Sequence, residues 1–82
     1  MSTWEYLTIR IDYDRKQHKN WIVKYAEQPP LIGLTVILGN YGSRGWELVS
    51  LDPERLEAVP GFGKWTIEPA SYRATFKRPK EE

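Results

Sequence analysis

Gln28–Ser43, QPPLIGLTVILGNYGS, is sixteen residues without a charge, in a chain where charged residues are 28% of the total. It runs directly into Arg44-Gly45-Trp46-Glu47-Leu48-Val49-Ser50. Composition alone leaves it open to two readings. Thr35-Val36-Ile37-Leu38 has the β-branched character of a strand. Placed at about 100° per residue, however, Leu31, Leu34, Ile37, Leu38 and Tyr41 share one helical face. Pro29-Pro30 suits a first helical turn, and Gly42 stands where a left-handed cap belongs. The balance favours a helix over 31–41. Gly33 and Gly39 each weaken it by about 1 kcal/mol relative to alanine.

The flanks supply strands. In Trp4–Ile11, Glu5, Leu7, Ile9 and Ile11 alternate with Trp4, Tyr6, Thr8 and Arg10, giving an aliphatic face and an aromatic, amphipathic one. A charged connection over 12–20 leads to a second short strand, Asn20–Tyr25, and the two read as a hairpin. After the helix comes a strand over Trp46–Leu51, ended by Asp52-Pro53. Glu54–Ala70 reads as irregular; with Pro53 it holds three prolines and two glycines, and only Lys64–Ile67 in it suggests a short strand. Ser71–Arg78 closes the pattern, with Tyr72, Ala74 and Phe76 alternating against Arg73, Thr75 and Lys77. The expectation is an α+β fold: an antiparallel sheet of about four strands with one helix on one face, ordered β-β-α-β-β, as a single domain over 1–82.

A chain of 82 residues builds a small core, of the kind that supplies only about 3–5 kcal/mol and needs a staple. The absence of cysteine removes disulfides, thiolate zinc sites and cysteine nucleophiles. A single histidine, His18, argues against a histidine metal site. Oligomerisation is the staple left. A formal charge of +1, from 12 basic and 11 acidic residues, gives no strong field for nucleic acid or an anionic membrane. The first residues, MSTWEYLTIR, lack the basic head and apolar centre of a signal peptide, and no run is long enough to span a bilayer. A cytoplasmic protein without cofactor or metal is the expectation.

Three groups of residues form a recognisable pattern. Trp4-Glu5-Tyr6 opens the first strand, Leu38, Tyr41, Gly42 and then Gly45-Trp46-Glu47-Leu48-Val49-Ser50 mark the helix and its exit, and Tyr72-Arg73-Ala74-Thr75-Phe76-Lys77-Arg78-Pro79 closes the chain. The pattern resembles a small bacterial family of domains of unknown function, DUF4177-like, over about half of the sequence. The resemblance implies a helix laid on an antiparallel sheet and attaches no activity. The chain departs from the family in its uncharged helix and its long 52–70 segment.

The candidate sites each have a plainer alternative. Asp12, Asp14 and His18 lack the glycine and closing glutamate of a calcium loop, and read as a turn of solvated charges. Gly61-Phe62-Gly63-Lys64 lacks the rest of a phosphate-binding loop. Glu47 with Arg44 or Arg73 reads as a surface ion pair rather than a catalytic acid. One histidine in a charged turn makes no nucleophile–base arrangement, so no catalytic residue is assigned.

Three binding readings remain. Ile32, Val36 and Gly39 fall opposite the main apolar face of the helix, and point to a homodimer interface; the alternative cover is the 52–70 segment folded over them. Trp4, Tyr6, Arg10, Trp21, Lys24, Arg73 and Lys77 hold the components of a single-strand nucleic-acid platform, rings for stacking and cations for phosphates. Phe62 and Trp65 suggest a small-molecule site between sheet and 52–70 loop. The leading expectation is a homo-oligomeric binding or regulatory module without catalysis, with a further protein partner left open.

Overall fold

The computed structural model describes residues 3–61 and 63–80. It is α+β, with one five-stranded antiparallel sheet and one short helix. The elements are β1 (Trp4–Asp14), β2 (Asn20–Val23), β3 (Leu31–Ile32), α1 (Leu34–Ser43), β4 (Glu47–Pro60) and β5 (Trp65–Pro79). Their order across the sheet is β3-β2-β1-β5-β4.

The β1–β2 hairpin forms as the alternation requires, with Asp12 opposite Ile22 and Tyr13 opposite Trp21. The fifth strand is the first departure from the sequence reading. Leu31 and Ile32 do not begin the helix; they pair with Val23 and Ile22 as a two-residue edge. The switch to helix falls at Gly33, whose φ of 97° is closed to most residues with a side chain. Its N–H donates to the Trp21 carbonyl, and its carbonyl accepts from the N–H of Ile37, so one residue belongs to both ladders. Pro29-Pro30 therefore precedes a strand rather than the first helical turn.

The helix also ends later than expected. Gly42 lies inside it, and the left-handed residue is Gly45, at φ 89°. The N–H groups of Gly45 and Trp46 donate to the carbonyls of Gly42 and Tyr41, the paired bonds of a Schellman motif. That exit turns the chain into β4.

The core lies between α1 and one face of the sheet. Ile11, Val23, Ile37, Tyr41, Ala74 and Phe76 are buried together, flanked by Leu7, Ile9, Leu31, Leu34, Leu38 and Trp46. Tyr41 stacks on Phe76 with ring centroids 5.0 Å apart. The helical face read from the sequence is thus the face that packs.

The second departure is larger. Asp52-Pro53 does not end β4, and 54–60 and 65–70 are strand rather than irregular. β4 and β5 run on as a hairpin to Pro60 and Trp65, with register shifts around Leu48, Pro53 and Arg55. Proline is tolerated because β4 is an edge, and because beyond Ser71 β5 has lost β1 as a neighbour. The hairpin sets the shape of the molecule. Fifteen residues of β5 at about 3.3 Å each span roughly 50 Å, close to the longest dimension of 56 Å. The radius of gyration is 15.4 Å, against about 12 Å for a compact chain of this length.

Candidate functional site

Apart from Leu48 and Val49 at the start of β4, three surfaces hold the exposed large apolar and aromatic residues, and the candidate residues distribute unevenly among them. On α1, Val36 is 53% exposed, and a side chain at Gly39 would meet open space. These two interface candidates share the free side of the helix. Ile32 does not join them as a helical residue; it is half-buried on β3, opposite Ile22. Up to Pro60 and from Trp65 onward the 52–70 segment is strand, so it is not the loop expected to fold over this patch.

The sheet face away from α1 carries Trp4, Tyr6, Thr8 and Arg10 on β1, beside Lys77, Thr75 and Arg73 on β5. Tyr6 and Trp4 are exposed. The cations, though, already have partners. Arg10 pairs with Asp12 at 2.8 Å, Arg73 with Glu54 at 3.1 Å, and Lys77 sits over the Trp4 ring at 4.4 Å. Lys24, just past β2, is exposed and lines a groove of about 550 Å³ with Arg10, Asp12, Ile22, Arg55 and Glu57. Trp21 is the misplaced member of the proposed platform. It pairs with Tyr13 on the core side and packs between Tyr13 and Tyr72, at centroid distances of 5.2 and 4.8 Å. The sequence hid this because a short strand gives too few residues to fix which face is inward.

The third surface was missed. Within the distal hairpin, Leu56 pairs with Pro69, Ala58 with Ile67, and Pro60 with Trp65. Register partners share a face, so six apolar residues form one row. Leu56, Trp65 and Ile67 are 58%, 70% and 72% exposed. Glu57 opposite Glu68, and Val59 opposite Thr66, make the other face. A sequence signal existed: two runs with alternate apolar residues, joined by a four-residue Gly61–Lys64 turn containing two glycines. The long 52–70 loop of the small-molecule reading is for the most part the β4–β5 hairpin. Trp65 belongs to the exposed row, and Phe62 lies outside the described residues.

The charged candidates resolve into structural contacts. Asp14 accepts from the backbone N–H groups of Lys16, Gln17 and His18, and from His18 Nδ1 at 2.8 Å, closing the β1–β2 turn. The bond from His18, with the Gln17 N–H next, holds the Asp14 carboxyl down at about 2. Asp12 is engaged by Arg10. Glu47 stands opposite Lys77. Arg44 lies over the Tyr41 ring at 4.5 Å and donates to Asn40. Arg78 covers the Trp46 ring and pairs with Glu5. Burial, and then its hydrogen bond to the Tyr41 hydroxyl at 2.7 Å, push the Tyr25 phenol up to about 12.

Among the described residues no acidic, histidine or cysteine cluster could hold a metal ion, and no helix is long and apolar enough to cross a membrane. Compared with known proteins, the chain matches no family model, no curated protein and no solved structure. The motif residues read from the sequence fall at the start of β1, the exit of α1 with the start of β4, and the second half of β5.

Proposed function

We propose that this chain is a cytoplasmic, homo-oligomeric binding or regulatory module without catalysis, within the DUF4177-like group. One observation carries the reading: after folding, Val36, Leu56, Trp65 and Ile67 remain more than half exposed. Single exposed apolar residues are ordinary, but a small domain with a row of them has surface suited to another protein. A core of about 3–5 kcal/mol gains further stability from association. Light scattering across a concentration series tests the reading. A dimer or higher oligomer at high micromolar concentration is expected; a monomer throughout overturns it.

A second reading is binding of single-stranded nucleic acid across the face opposite α1. It is favoured by exposed Trp4 and Tyr6 beside Arg10, Arg73 and Lys77. The ion pairs of Arg10 and Arg73 weigh against it, since those contacts compete with phosphates. Tryptophan fluorescence titrated with an oligonucleotide at low salt decides it: quenching that fades with salt supports it, and unchanged fluorescence sinks it.

A further inference from the structure

We propose that the distal β4–β5 hairpin is a dimerisation arm whose apolar face lies against the same face of a second copy of this chain. The proposal deepens the self-association reading and rests on it.

The arm begins where β1 stops supporting β5, after the Asp12–Ser71 pair. From Leu56 to Pro69 the two strands pair only with each other. A lone two-stranded hairpin is at best marginally stable in water and needs a third strand or a covered face. Within the chain, the extended shape leaves Leu56, Trp65 and Ile67 in solvent. At the root, Arg15 reaches Glu57 at 3.0 Å, an exposed pair worth little. The cover therefore comes from outside.

The chemistry of the arm selects the occupant. An added strand is disfavoured along β4, where Pro53 and Pro60 lack N–H donors and register shifts break the edge. On the inner edge of β5, Pro69 removes another donor. Anionic lipid or nucleic acid would select for basic side chains, yet the segment 54–69 sets Glu54, Glu57 and Glu68 against Arg55 and Lys64. What remains is an apolar row two strands wide. The arm of a second copy presents that surface, matched in length by two-fold symmetry. Stacked face to face, two hairpins make a four-stranded sandwich about 10 Å thick. Glu57 and Glu68 of each copy then point outward, so like charges do not meet across the interface. The buried area is roughly 500 Å² per copy, below the ~800 Å² of a standard interface, which fits a dimer that dissociates on dilution.

The test is sedimentation velocity of the full chain from about 1 to 300 µM, for the wild type, Ile67→Asp, Trp65→Ser and Val36→Asp. The expected result is a wild-type dimer, at least a roughly tenfold rise in Kd for each arm variant, and little change for Val36→Asp. Circular dichroism checks that the arm variants melt like the wild type at dilution. A wild type that stays monomeric removes both this proposal and the self-association reading. A wild-type dimer that survives both arm substitutions, or that only Val36→Asp dissociates, overturns the arm alone. If the arm variants fail to fold, Ile67→Cys decides instead, because the native chain has no cysteine. Ile67 lies in the central pair of the row; a disulfide-linked dimer on mild oxidation supports the arm contact, and a chain that stays unlinked contradicts it.

Discussion

The two ends of the β4–β5 hairpin are built from the same two strands and differ in everything that stabilises a strand. At one end, Leu51 pairs with Ala74, β1 lies alongside β5, and α1 covers Ala74 and Phe76, although Leu48 opposite Phe76 stays 38% exposed. At the other, Leu56, Ala58 and Pro60 pair with Pro69, Ile67 and Trp65; among the described residues no third strand joins them, and Leu56, Trp65 and Ile67 stay exposed. The local backbone pattern is alike; the neighbours are not. The contrast teaches that strand formation here is tertiary at the supported end and conditional at the free end.

Matched substitutions break or sharpen that contrast. The largest difference is expected between two aromatic truncations. Phe76→Ala empties a fully buried position under Tyr41, and should cost about 3–5 kcal/mol, enough to unfold most of the population. Trp65→Ala removes a larger side chain from solvent, and should change stability by less than ~0.5 kcal/mol at dilution. Urea denaturation followed by circular dichroism measures both. A second pair uses the left-handed glycines. Gly45→Ala strains the exit of α1, at φ 89°, for about 1–2 kcal/mol of global stability. Gly63→Ala strains the tip of the arm, at φ 72°, and should leave the global unfolding midpoint unchanged.

Ser71 marks the boundary between the two ends. Its side chain is fully buried, and its hydroxyl has no hydrogen-bond partner among the described residues. Removing an unpaired buried hydroxyl is neutral or favourable, so Ser71→Ala should stabilise the fold by up to about 1 kcal/mol. A clear loss on thermal or urea unfolding would mean the hydroxyl is paired in solution. The smallest effect concerns the β1–β2 turn. The Asp14 carboxyl is held at about 2 in the folded chain, below the ordinary 3.8. A lowered carboxylate stabilises the fold above its ordinary pKa, and that contribution is lost as pH falls from about 4 toward 2. Asp14→Asn should flatten this acid limb in a pH series of melting temperatures, without altering association of the arm.

Much of the supported half was legible in the sequence. The alternation of Leu7, Ile9 and Ile11, and of Tyr72, Ala74 and Phe76, marked the inward faces of β1 and β5. The helical wheel found Leu34, Ile37, Leu38 and Tyr41. Leu31 and Ile32 were misread because an apolar pair fits either a helix or an edge strand, and only Gly33 separates the two. Pro53 and Pro60 misled for a different reason. A proline stops a central strand, but these sit on an edge, a position known only once the sheet order is known. The apolar row of the arm escaped because Leu56–Pro60 reads as irregular and Lys64–Ile67 only as an isolated short strand, and the row exists only across their register.

Hydrogen exchange measured at low and at high micromolar concentration tests the contrast most directly. At dilution, the amides of the arm from Leu56 to Ile67 should exchange orders of magnitude faster than those of Ile9, Ile11, Ala74 and Phe76. At high concentration the arm should become protected, while the supported half changes little. Arm amides as slow as core amides at both concentrations would show that the hairpin holds itself together, and would contradict the account.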